Sequence, residues 1–460
     1  MRFAPFVFAA ATAISQSSQS PDRQLAHDIL KELVEINTTT DVVGTEGAAK
    51  AIERRLRAEG FAAEDAQVMG PDPKHSNVFV RLHGRSPAKP IVLMAHLDVV
   101  AARPEDWTVP PFALTERDGY FYGRGVGDDK QGDANIITNM IRWKRQGWIP
   151  ARDVIGILTS DEETNGTAIG WMIEHVPAIR DADLALNADA GAGELAGGKR
   201  SVLNVQASEK IYADYRFTVK DRGGHSSRPR NSDNPIYRLS AALGRLAAHQ
   251  FPIKLTDVTR AYFERDAALR PSEVAADMRA LAAGTASEDA MARLSADSQL
   301  NALMRTTCVA TTIEGGHAPN ALPQAASVNV NCRILPNDNP SQVQKTVEEI
   351  FSGAKAELQI ASAPKNSPAS PLRPEVMSAI ERLAVRHFPG ALVLPQMETG
   401  ATDGLFVRNA GVPVYGIKAI FDDPADSRAH GRDERVLAAS YYDAVEFWHE
   451  LVPALAGKEF

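Results

Sequence analysis

At 460 residues the chain exceeds what one ordinary hydrophobic core holds, so two domains are expected. Its 44% hydrophobic and 23% charged residues suit a soluble globular protein. A net charge of -8, with no basic stripe, heptad pattern or clear repeat, argues against nucleic acid or an anionic membrane as main partner.

In chain order, Arg2 precedes the apolar run FAPFVFAAATAI and the polar SQSSQSPD, with Ala13 and Ser15 as small residues near a cleavage point. Residues 1–20 therefore read as a secretory signal peptide, too short in its apolar part to span a bilayer; the competing reading is a disordered tail. Export would place the mature chain in the periplasm or outside the cell, an oxidising setting with no stable membrane association after cleavage. Two amphipathic helices follow, RQLAHDILKELVEI and EGAAKAIERRLRAEG, then strands NVFVRLHG and PIVLMAHLDV. After an irregular stretch ending in GYFYGRGVGDDKQG come a helix over 132–145, strand DVIGILTSDEE, helix AIGWMIEHV and strand LALNAD. Such β/α alternation predicts an α/β fold, a mostly parallel sheet with helices on both faces, whose site lies past the carboxyl ends of strands.

Chemically equipped residues collect at those exits. His96 and Asp98 leave one strand, Asp161, Glu162 and Glu163 another, and Asp189 a third, while Asp128 and Asp129 open a helix. Residues two apart share a face of a strand, so an imidazole at 96 can meet a carboxylate at 98. Each motif alone has an ordinary reading: a capped strand end, a helix cap at Asp128 or Asp129, a solvated acidic turn, a surface histidine at His430. Jointly these readings fail, because five independent strand or helix ends would each have to carry metal-competent residues by accident, and so many carboxylates around a histidine would repel one another without cations. The cysteines, Cys308 and Cys332, sit in two runs, TTCVATTI and ASVNVNCRIL, that would place them opposite each other if paired antiparallel. A disulfide and two free thiols both remain open.

The strings MAHLDVV, GYFYGRGVGDDKQG, TSDEETNG, LALNADAGAG, GGHSSRP and AHGRDERV, in this order, resemble the dinuclear-zinc hydrolases that include aminoacylase, glutamate carboxypeptidase, succinyl-diaminopimelate desuccinylase and carnosine dipeptidase. The resemblance runs from about residue 24 to 455. It implies a zinc exopeptidase catalytic domain at 21–208 and 364–460, and an inserted α+β lid and dimerisation domain at 209–363. The Ala-, Arg- and Asp-rich helical stretch 251–303 is an addition to that lid.

The resemblance further implies two Zn2+ ions, with Co2+ or Mn2+ as substitutes. The ligands would be His96, Asp128, Glu163, Asp189 and His430, with Asp128 shared. Asp98 would orient His96, Glu162 would act as general acid and base, and His225 would stabilise the oxyanion, in dimeric members from the partner subunit. Arg333 and Asn320 would hold the substrate's carboxylate and carbonyl, with Gly400, Ala401 and Thr402 near its tail. Gln131, where many members have glycine, is expected to alter the loop and not the ligands.

The expected activity is hydrolysis of the amide bond of small peptides or N-acyl amino acids, next to a residue with a free carboxylate, by a homodimer joined through the lid. The alternatives are a deacylase of a biosynthetic intermediate, which export would make odd, and a catalytically silent binding protein, which would be expected to have lost a ligand or Glu162. A serine hydrolase using Ser226 or Ser227 beside His225 lacks a nucleophile elbow.

Overall fold

The apolar runs of the sequence lie side by side in the computed structural model, which describes residues 20–40, 42–230 and 233–457. The signal-peptide reading concerns residues almost entirely outside these; Ser20 alone is described, as the side-chain cap of helix Pro21–Glu35. Strand Ile91–His96 is buried at every position and parallel to both neighbours, Val154–Thr159 and Leu184–Asn187. Burial on both faces is why it reads as one apolar run without alternation. These strands form the centre of a ten-stranded sheet; one end is antiparallel, through Asn77–Leu82 and Ala66–Met69. On the other side, strand Val414–Gly416 is parallel to Leu184–Asn187, and strand Lys199–Glu209 pairs in parallel with Leu392–Glu398.

Helix Pro21–Glu35 buries Ala26, Ile29, Leu30, Leu33 and Val34, a stripe at three- and four-residue spacing. It packs against helix Lys130–Arg145, which in turn packs against Ile91–His96 and the C-terminal helix Ala438–Ala456.

A smaller body follows Lys199–Glu209. Strands Thr307–Gly315, Ala325–Ile334, Ile211–Lys220 and Glu357–Ser362 make a four-stranded antiparallel sheet. In Ile211–Lys220 buried and half-buried residues alternate, the pattern of a sheet with one wet face. Helices Pro235–Ala248 and Pro340–Phe351 cover the dry face, where Phe217 stacks on Phe351 at 4.1 Å. Cys308 and Cys332 stand directly opposite each other on neighbouring strands and form a disulfide, which resolves the question the sequence left open.

The stretch 251–303 departs from its expected place in the lid. Its helices Asp257–Asp266, Ser272–Ala283, Glu288–Ala296 and Ser298–Met304 contribute Phe263, Met278, Leu294 and Leu303 to the core of the larger body. Helix Asp257–Asp266 lies on strand Leu392–Glu398. Residues 209–363 are thus contiguous in sequence but divided in space. An apolar stripe announces that a helix is buried without saying against which surface. Among the described residues, no helix is long and apolar enough to cross a membrane.

Candidate metal centre and substrate cleft

His96 ends its strand 2% exposed, and its Nδ1 lies 3.0 Å from the backbone carbonyl of Asp98 but 3.6 Å from the nearer carboxylate oxygen. Once the chain leaves the strand, the carbonyl of Asp98 comes nearer the ring than its side chain does. The Asp98 carboxylate instead accepts hydrogen bonds from the backbone N–H groups of Glu162 and Glu163, each at 3.2 Å. Asp98 thus holds the imidazole with its backbone and the acidic turn with its side chain, a change from the expected steering by the carboxylate alone.

With Nδ1 donating to a carbonyl, Nε2 of His96 faces Asp128 Oδ1 at 3.1 Å and Asp189 Oδ1 at 3.7 Å. The other oxygen of Asp128 lies 3.1 Å from His430 Nε2, which is also 3.0 Å from Glu163 Oε2. Asp128 therefore stands between two imidazoles, each flanked by a further carboxylate. His430 is held at φ 61°, a left-handed conformation uncommon outside glycine and concentrated at functional sites. The Asp128–Asp129 peptide bond is cis.

The electrostatics follow from this crowding. Burial opposes charge on His96, yet Asp128, Asp189 and Asp98 hold its pKa well above the ordinary value. Hydrogen bonds to Asp128 and Glu163 push His430 up to about 10. Burial likewise raises Glu162 well above the usual carboxylate range; nearby His96 opposes the shift while Asp189, Asp403 and Asp128 add to it.

Glu162 and Glu163 line a cleft of about 310 Å³ together with His430, Lys210, Tyr212 and Thr402. Ala401 lines it too, whereas Gly400 is exposed and does not. Thr402 donates its backbone N–H and its hydroxyl to the buried Glu209, so part of its polarity is already committed. Arg333 lies over the Tyr212 ring at 4.5 Å and donates to the Thr399 carbonyl at 3.2 Å, which brings it to the rim. His225 and Asn320 are not brought to the cleft lining. Both are exposed at the two-stranded pairing of Gly224–His225 with Ala321–Leu322. Ser227 Oγ lies 2.8 Å from His225 Nδ1, a contact between near neighbours on an exposed loop.

Two groups in this region escaped the sequence reading. The buried pair Arg124 and Glu434 joins the loop carrying Asp128 to the loop carrying His430. Glu434 accepts from the N–H groups of Gly127 at 2.7 Å and Asp128 at 3.1 Å, while Arg124 donates to the carbonyls of His430 and Gly431. Both residues sat in quoted motifs, but nothing local marked them as partners. Lys418, just past strand Val414–Gly416, is the second: burial disfavours its charge, but Asp128, Asp129 and Asp189 hold its pKa above the ordinary lysine value. Gln131, expected to matter to the loop alone, donates to the Asp129 carboxylate at 2.5 Å.

The donor set fits a pair of divalent cations. His96 converges with Asp129 and Asp189 on one side and with Asp128 and Glu163 on the other, while His430, close to both Asp128 and Glu163, offers the second imidazole that divides these donors between two positions. The buried Glu163 Oε1 and Asp129 Oδ2 have no hydrogen-bond partner among the described residues. Nitrogen and carboxylate donors with an imidazole held from behind are what a catalytic transition-metal site uses.

Comparison with known proteins gives the family and the fold. The profile of Peptidase family M20/M25/M40 matches residues 92–454. Human N-fatty-acyl-amino acid synthase/hydrolase PM20D1 is 29% identical over 390 residues, 82% of this chain and 76% of that protein. A probable carboxypeptidase S-like 2 of Dictyostelium discoideum is 26% identical over 79% of this chain and 71% of its own length. Among solved structures, the M20 family metallo-carboxypeptidase Sso-CP2 of Sulfolobus solfataricus superimposes with a TM-score of 0.68 at 17% identity, covering 94% of this chain and 99% of that one. Human carnosine dipeptidase 1 gives 0.62 at 16% identity, covering 95% and 97%.

Proposed function

The chain belongs to peptidase family M20/M25/M40, a family of metal-binding peptidases and amidohydrolases, and from that membership we propose that it hydrolyses the amide bond of small peptides or N-acyl amino acids next to a residue with a free carboxylate. The observation that carries this reading is Asp128, whose two oxygens face His96 and His430 beside the cleft that Glu162 lines.

Two Zn2+ ions, one on His96, Asp128 and Asp189 and one on His430, Asp128 and Glu163, would supply an acidified water and polarise the scissile carbonyl. Glu162, as the carboxylate, takes up a proton and returns it to the leaving amine, a role supported by burial that raises its affinity for that proton. Asp98 fixes the turn carrying Glu162 and Glu163. Arg333 recognises the substrate carboxylate, a task suited to its forked donors and supported by its place over Tyr212 at the rim.

His225 and Asn320 act on the site of a partner subunit, a reading supported by their exposure in the single chain. Dimerisation through the smaller body is supported by exposed Ile313 on its edge strand. Export is supported by the Arg2-led apolar segment and by the disulfide, which suits an oxidising compartment. The test is a hydrolysis screen of dipeptides and N-acyl amino acids, with metals quantified on the same sample. Release of an amine from carboxylate-ended members is expected; no release with two metals bound would favour a binding protein instead.

A further inference from the structure

A second cavity, of about 490 Å³, lies where the chain leaves the smaller body for the four-helix insertion and where it returns. It shares no lining residue with the cleft at the metal centre. Leu243, Leu246, Phe251 and Val309 give it apolar walls, and Arg305 lines it as well.

Arg305 is the unusual member of that set. Four arginines are at most 7% exposed among the described residues: Arg124, Arg142, Arg305 and Arg408. Arg124 pairs with Glu434, Arg142 with Asp22 and Glu446, and Arg408 with Glu209. Among the described residues, Arg305 has neutral partners only. It donates through Nη1 to Gln250 Oε1 at 2.9 Å and the Phe251 carbonyl at 3.2 Å and through Nη2 to Ser295 Oγ at 2.8 Å, and its buried Nε–H has no acceptor among the described residues. A buried cation without a counter-charge is unfavourable, and the forked donors of a guanidinium suit a carboxylate, the anionic headgroup that an aliphatic tail against apolar walls carries at the least desolvation cost. The cavity is also within the ~300 to 1,000 Å³ range of small-molecule sites.

We propose that this cavity binds a small amphiphilic monocarboxylate, with its carboxylate paired to Arg305 and its aliphatic tail against Leu243, Leu246 and Phe251. The site is separate from the hydrolytic centre, and the proposal does not depend on which amide the enzyme cleaves.

Decanoate titrated into the metal-loaded enzyme by calorimetry tests it. Saturable binding of one equivalent is expected, at least about tenfold tighter than that of decanol, because the alcohol lacks the charge that Arg305 answers. Arg305→Gln should weaken decanoate by about tenfold or more and leave decanol unchanged. Ala247→Trp, which places a large side chain from an exposed position of the cavity wall, should abolish binding of both while hydrolysis continues at its original rate. If Arg305→Gln does not fold, Ala247→Trp decides the matter. No saturable binding, equal affinity for decanoate and decanol, or full decanoate binding by Ala247→Trp would each overturn the proposal, the last by placing the carboxylate elsewhere, such as at the metals.

Discussion

Asp128 faces two different imidazoles with its two oxygens, at 3.1 Å each, and is the residue shared between the two metals in the proposed reading. Asp128→Ala should therefore lose both ions, whereas Glu163→Ala or Asp189→Ala should weaken mainly one. Elemental analysis of dialysed protein checks this, and two tightly held ions in the Asp128 variant would remove the shared role. Glu162 calls for a different measurement, since it lines the cleft but belongs to neither group of converging ligand atoms. Glu162→Gln keeps the shape and removes the proton carrier. Turnover should fall by at least about a thousandfold while metal content stays at two. Loss of an ion from Glu162→Gln, with both retained in Glu163→Gln, would mean the two neighbours have exchanged roles.

Between elements, the site depends on joints as much as on ligands. Glu434 immediately precedes strand Arg435–Leu437, which pairs with Tyr120–Tyr122, so the loops before Asp128 and after His430 are tied by a strand pair and by the Arg124–Glu434 contact. Glu434→Gln should leave the fold intact but weaken metal binding by about 10- to 100-fold, the usual effect of losing a group that supports ligands. Unchanged affinity in a competition with a metal-sensitive dye would confine Glu434 to a packing role.

A second joint is His449 on helix Ala438–Ala456, stacked on Trp143 of helix Lys130–Arg145. Its Nδ1 lies 3.0 Å from Asn139 Oδ1 and its Nε2 3.2 Å from Gln146 Nε2, an arrangement that a neutral ring satisfies by donating to one and accepting from the other. Burial, with Arg142 nearby, lowers its pKa from 6.5 to about 4. The unfolded chain therefore binds a proton that the folded one refuses between those values, so this contribution to stability is present above pH 6.5 and lost as pH falls towards 4. Urea unfolding of wild type and His449→Gln at pH 7.5 and pH 5 should show a smaller loss on acidification in the variant; equal losses would place the acid sensitivity elsewhere.

Across the whole molecule, two bodies are linked by a chain that crosses between them more than once, because the helices of 251–303 return to the larger core. The smaller body keeps its own core and its own staple. The Cys308–Cys332 bond spans a sequence separation of 24, and closing a loop of that size stabilises by about 3 kcal/mol through the denatured state. Replacing both cysteines by serine should lower the unfolding free energy of the smaller body by roughly that amount. Metal content should not change, since neither cysteine lies in the cleft lining. A simultaneous loss of metal would show that the two bodies unfold as one unit.

The amino-acid sequence by itself singled out the acidic and imidazole residues that gather at the strand ends, and the identity of most elements. Both are local properties: apolar period reveals strands and helices, and a strand's last residue is placed by the strand itself, as His96 shows. It also placed Cys308 opposite Cys332, because alternation sets register once two strands pair. Only the tertiary structure decided which surface covers the helices of 251–303, that Asp98 anchors the Glu162 turn, and that Glu434 answers Arg124 across 310 residues. Those outcomes depend on which distant surfaces meet and which buried charges must be neutralised there, and neither spacing nor periodicity along the chain carries that information.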